Sequence, residues 1–246
     1  MSTSLFDPYE IRARLIPAAF VASPLLLPIV AFRLVALSTL TSTAIATGVL
    51  LILLYALSLF LAFLGRRAEP ALWQSWGGPP SLTVLTEADK TFPAITKQTI
   101  RDEVRRLYNI DLTSVAAEPN VWRERATEAF RLVRQYLRQQ SPTGIWSVHN
   151  AEYGAIRNIL ASAWVCFAFA LAAAVACAVG WWMDGKPLPG APAIVGLTIA
   201  AVVVVVRCTI LPRLARSIAF GYAESAWSCF LNAAKLSQPQ PQESPK

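Results

Sequence analysis

The sequence predicts an all-α membrane protein, with four transmembrane helices in two hairpins and a mostly helical cytoplasmic insert. Three observations carry that expectation. Of 246 residues, 55% are hydrophobic and only 15% charged, where soluble domains carry about 25%; the mean hydropathy is +0.46. Four segments, 15–37, 44–64, 159–183 and 193–211, approach the roughly 20 apolar residues a spanning helix needs. Finally, apart from Arg33, Lys186 and Arg207, every Lys and Arg lies near the chain ends or within 65–158. The positive-inside rule then assigns both ends and that insert to the cytoplasm, and the short loops 38–43 and 184–192 to the other side.

Taken in order, "FDPYEIRARL" reads as a helix start and not as part of a cleaved signal peptide. Asp7 can cap, Pro8 suits the first helical position, and Glu10 stands three residues after Asp7 as in a capping box. Pro17, Pro24 and Pro28 interrupt the first span, and Arg33 lies inside it. The second, "AIATGVLLILLYALSLFLAFL", has no charge. Arg12 and Arg14 before the first span, with Arg66 and Arg67 after the second, mark a basic border.

An insert of this length should fold. Residues 77–89, "GGPPSLTVLTEAD", suggest a turn and a short β-prone piece, a candidate strand. Residues 94–108 read as a helix with Ile95, Ile100, Val104 and Leu107 on one face. Residues 119–140 make a stronger helix, with a stripe of Trp122, Ala126, Phe130, Val133 and Leu137, ended by "SPTG". A last helix starts near Ser147 and continues unbroken into the third span. There Ala161, Ala168, Ala172, Ala176 and Gly180, and in the fourth span Gly196 and Ala200, allow close helix approach, within one bundle or between subunits. Trp181 and Trp182 suit the outer interface. The organisation expected is 1–64 with the first hairpin, 65–158 as insert, 159–211 as second hairpin, and 212–246 as a cytoplasmic helix with a disordered Pro/Gln tail.

The residue chemistry excludes more than it selects. Cys166, Cys177, Cys208 and Cys229 have no CxxC spacing and one histidine cannot complete a common zinc set, so no metal or cofactor is implied. The formal charge is +7, yet acidic residues nearly balance basic ones across the insert, so no nucleic acid duplex is expected as partner. "GRRAEP" and "WGGPP" lack the Gly-Lys-Ser/Thr of a P-loop, and His149 has no recognisable nucleophile or orienting acid, so an enzyme is not expected. Arg131, Arg134 and Arg138 follow one another at helical spacing and are ligand-binding candidates for an anionic signal, a nucleotide or a phospholipid headgroup. The competing reading is a solvated face, with Glu128 pairing Arg131, and Asp102 or Glu103 pairing Arg106. Arg33 and Arg207, charges within spans, either snorkel to an interface or line a pore or subunit contact. In "HNAEYGAIRN", His149, Tyr153 and Arg157 form one helical stripe and Asn150, Gly154 and Asn158 its neighbour, a polar joint between insert and membrane.

Two motifs, "LGRRAEPALWQSWGGPP" at 64–80 and "HNAEYGAIRN" at 149–158, resemble those of a family of uncharacterised bacterial four-span membrane proteins. His149 replaces an acidic residue in that family's pattern, and Ile156-Arg157 replaces an Arg-Arg pair. The resemblance covers roughly 5–230 and implies four spans, a cytoplasmic insert and a bacterial inner (cytoplasmic) membrane. The layout is also similar to four-helix membrane effectors of nucleotide-signalling defence. The functional expectation is an oligomeric effector in lipid, a gated ion channel or pore answering a cytoplasmic signal, in antiphage defence. A non-conducting scaffold or accessory subunit for a cytoplasmic partner is the alternative.

Overall fold

The computed structural model describes residues 10–31, 40–113, 119–140, 144–184 and 190–236. Among them the chain is helical and no strand is present. The helices are α1 (Ile11–Ala31), α2 (Leu40–Ser75), α3 (Pro80–Thr83), α4 (Ala94–Tyr108), α5 (Pro119–Gln140), α6 (Ile145–Met183), α7 (Ala191–Thr209) and α8 (Leu211–Leu236). Four of them, α1, α2, α6 and α7, are long and apolar enough to cross a membrane. Arg33, Asp7, Pro8, Lys186 and the Pro/Gln tail from residue 237 lie outside the described residues.

The described chain forms two compact units, 1–70 with 151–216, and 71–150 with 217–246. The boundary drawn from sequence kept the carboxyl-terminal segment apart from the insert; the second unit contains residues of both. Helices α2, α6 and α8 each contribute residues to both units without a break. The expected continuous helix into the third span is present and begins at Ile145.

The first unit is built on the apolar helices. Ala18, Val21, Leu61 and Cys166 form a buried cluster, surrounded by Leu54, Leu57, Leu64, Val165, Phe169 and Val203. Each proline of α1 removes a backbone donor and orphans the carbonyl four residues earlier. The helix adapts locally, as a π turn over Ile11–Leu15 and a 3₁₀ turn over Ser23–Leu25. Pro24 would orphan the Phe20 carbonyl, which accepts a hydrogen bond from Ser23 Oγ at 2.8 Å. Between α6 and α7 the backbones approach closely: a Cβ added to Gly196 would lie 2.9 Å from Ala174 Cβ. Gly196 and Ala200 are buried as small residues at a contact should be. The alanine stripe singled out on the third span behaves differently. Ala168, Ala172 and Ala176 are exposed, while Ala163, Ala170, Ala173 and Ala174 are the buried ones.

The second unit packs α4, α5 and most of α8 around aromatic side chains. Trp227 and Phe230 are fully buried, and Phe130 stands against Trp227 at 5.4 Å and edge-on to Tyr222 at 6.2 Å. Two indole N–H groups of this unit are satisfied by backbone: Trp227 Nε1 donates to Ser81 O at 2.9 Å and Trp122 Nε1 to Leu112 O at 3.0 Å. Burial, reinforced by the neighbouring Tyr136, pushes the Tyr108 phenol up from its ordinary value.

"WGGPP" is a helix stop. Gly78 N donates to Trp73 O at 2.8 Å and Gly77 N to Gln74 O at 3.4 Å, with Gly77 at φ +88°, the Schellman closure that favours glycine. Pro79 and Pro80 then start α3, which corrects the candidate strand at 77–89. Proline presets the first helical turn, and a lone strand here would leave its backbone ladder unpaired. A second correction concerns Ile95. It is 82% exposed, and the inner face of α4 is Lys97, Ile100, Arg101 and Val104. Five residues of α-helix turn Ile95 about 140° away from Ile100.

Candidate functional site

Within the first unit, the two sequence motifs meet. Glu69, in "LGRRAEP" on α2, accepts a hydrogen bond from Tyr153 Oη at 2.8 Å and from Arg157 Nη1 at 2.9 Å, both on α6 in "HNAEYGAIRN". The Glu69 and Arg157 side chains are each 16% exposed, so the ion pair is largely removed from water. Tyr153 and Arg157 stand four residues apart and so share a face of α6; the guanidinium lies over the Tyr153 ring, 5.7 Å from its centroid. One carboxylate oxygen thereby receives two donors, and the cation has both a counter-charge and an aromatic face.

The next residue extends the cluster to α1. Asn158 Nδ2 donates to Ala13 O at 2.8 Å. Ala13 stands four residues before Pro17, whose missing N–H leaves that carbonyl without its α-helical donor. The asparagine supplies the donor that proline removed. Ser162 Oγ, one turn further along α6, donates to Asn158 O. Gly65 makes the crossing possible: a Cβ there would collide with the Asn158 side-chain oxygen and lie 3.3 Å from Arg157 Nε. Both of those atoms are buried with no hydrogen-bond partner among the described residues, so the α2–α6 crossing is tightly packed and polar.

Of the residues expected to form the joint, Tyr153, Arg157 and Asn158 are brought together here and Gly154 is buried beside them in sequence. His149 and Asn150 are half-buried and belong to the second unit. Glu69, Gly65 and the Ala13 carbonyl were not singled out from sequence. Sequence marks Glu69 as a carboxylate close after the basic border and residue 13 as a carbonyl orphaned by Pro17, without giving the partner of either, and Gly65 has no such signal.

The three arginines of α5 have separate fates. Arg131 is exposed and paired to Glu128 through two hydrogen bonds, which holds the carboxyl below and the guanidinium above their ordinary values. Arg134 lies over the Phe130 ring at 5.4 Å, and Arg138 is exposed. Arg106 pairs with Glu103 as spacing suggested, while Asp102 accepts from Gln98. Arg207, on α7, is half-buried with an Nε that has no hydrogen-bond partner among the described residues.

Comparison with family models, with curated proteins and with solved structures gives no match. Among the described residues no three His, Cys, Asp or Glu side chains cluster closely enough to hold a metal ion. The arrangement at Glu69 is one of charge neutralisation and helix registration.

Proposed function

We propose that the chain is an oligomeric effector of a bacterial inner membrane, a gated ion channel or pore that answers a cytoplasmic signal, as in antiphage defence. In this reading α1 with α2, and α6 with α7, are hairpins, the second unit is cytoplasmic with both chain ends, and Trp181 and Trp182 lie at the far interface. The observation that carries the reading is the exposed stripe Ala168, Ala172 and Ala176 on α6. Small residues four apart on an apolar helix let another membrane helix approach closely, and among the described residues nothing covers them. A second copy packed along this stripe forms the oligomer.

Two further features support gating. Helices α2, α6 and α8 each contribute residues to both compact units as continuous backbone. The Glu69–Arg157 pair registers α2 against α6, and a signal changes that register only by binding one arrangement better than the other.

The test is oligomeric state and ion flux measured on the same preparation. Full-length protein in detergent is expected as a discrete oligomer, and in liposomes it conducts when an activating nucleotide is added. Ala168→Leu with Ala172→Leu should yield folded monomer that no longer conducts. A wild-type monomer in both detergent and lipid, or liposomes silent to every cellular nucleotide, overturns the reading.

A further inference from the structure

We propose that the amino-terminal end of α4 binds a phosphate group carried by a small molecule. The helix starts within "FPAITKQTIR". Pro93 occupies the N-cap of this 15-residue helix with no side-chain hydrogen bond, and no acidic residue stands in the first turn. The first N–H groups of a helix have no intrahelical acceptor, and Pro93 has no side-chain oxygen to offer them. Together with the helix dipole they favour an anion.

Two cations face the same place. Lys97 and Arg101 are 5% and 9% exposed. Lys97 Nζ donates to Thr86 O at 2.6 Å and Asp89 O at 2.5 Å, and Arg101 Nη2 to Leu85 O at 3.0 Å. These are backbone carbonyls, which accept hydrogen bonds but carry no net charge. Neither cation takes part in an ion pair among the described residues. Arg101 Nε is buried with no acceptor among the described residues. Burying a cation without a counter-charge is costly, and a guanidinium matches phosphate geometry.

All of these groups line one cleft of about 680 Å³. Its other charged members, Glu87, Asp89 and Lys90, set the ligand's charge. With three cations and two carboxylates the cleft is +1 by formal count, which suits one phosphate and disfavours a polyphosphate. Phe92 and the exposed Ile95 supply apolar contact and Gln98 an amide for the remainder of the molecule. A nucleoside monophosphate and a phospholipid headgroup share this chemistry.

As the identity of the signal, the proposal rests on the channel reading; as a binding site it does not. Calorimetric titration of the full-length protein in detergent uses three probes: inorganic phosphate, adenosine monophosphate and dihexanoyl phosphatidic acid. One organic probe should bind saturably, one per chain, and be displaced by excess phosphate; which one binds tells the soluble source from the lipid source. Arg101→Gln should weaken it by about tenfold or more, as loss of a charge-assisted contact does. Because Arg101 is buried, Ile95→Glu is the safer variant: it changes an exposed side chain, leaves the melting temperature unchanged and weakens binding comparably. No saturable binding at millimolar probe, or binding that Ile95→Glu leaves untouched, overturns the site. Binding without any change in ion flux sustains the site and overturns its role as the channel's signal.

Discussion

Arg157 and Arg101 are both arginines largely withdrawn from water, one in each compact unit, and they are balanced by different means. Arg157 sits against a carboxylate, Glu69, at 2.9 Å, with a tyrosine sharing the same oxygen. Arg101 and its neighbour Lys97 have backbone carbonyls alone. The apolar unit therefore contains its counter-charge within the fold, which is what a low-dielectric setting demands. The second unit satisfies hydrogen bonds while leaving positive charge uncompensated. A neutralised pair serves registration between helices, and an uncompensated one is available to an outside anion.

The largest expected effect comes from breaking the neutral pair. Glu69→Ala should destabilise the protein by about 3–5 kcal/mol, because it strands a buried cation. The double variant Glu69→Gln with Arg157→Gln should recover much of that loss in thermal melts in detergent. A single variant as stable as wild type would erase the distinction between the two units. Next is Gly65→Leu, which forces side-chain atoms into Asn158 at the same crossing and should cost about 1–3 kcal/mol by overpacking.

Lys97→Met probes the other side of the comparison. It takes the lysine donor from the Asp89 carbonyl and leaves the Thr86 carbonyl with only the Asp89 N–H at 3.3 Å, and should cost about 1–3 kcal/mol by the same melting assay. Its loss should be smaller than that of Glu69→Ala, because no charge is left stranded. Arg131→Gln, on an exposed helical pair, should leave the melting temperature unmoved.

A small pH dependence arises in the second unit. Hydrogen bonds from the Thr113 hydroxyl and backbone hold the Asp111 carboxyl below its ordinary value, with Arg105 and Arg125 assisting. A carboxylate stabilised in the fold contributes fully above its unfolded pKa and loses that contribution as pH falls through the lowered folded value. Thr113→Val should therefore flatten the acid limb of the stability profile slightly and leave neutral pH almost unchanged.

Much of the architecture was legible beforehand. Helices 94–108 and 119–140 have the expected bounds, since hydrophobic periodicity and flanking Pro, Asn and Gln act locally. The four apolar helices follow from run length alone. Ile95 was misplaced because a short amphipathic helix admits more than one apolar face, and burial chose the one carrying Lys97 and Arg101. The strand suggested at 77–89 failed because β propensity counts only where a partner strand exists, whereas Pro79 and Pro80 act without one.

The candidate site was half legible. Tyr153, Arg157 and Asn158 stood out because polar groups beside an apolar run need a reason. Their partners could not be read, because Glu69 lies 88 residues from Arg157 and Ala13 lies 145 from Asn158. The sequence by itself determined which segments are apolar, where prolines orphan carbonyls, and which residues bring charge to the edge of a span. Only the tertiary structure decided that Asn158 answers Pro17, that Glu69 answers Arg157, and that Gly65 lets them meet. Hydropathy and backbone valence are properties of neighbours along the chain, while counter-charge and close approach belong to atoms that folding alone brings together.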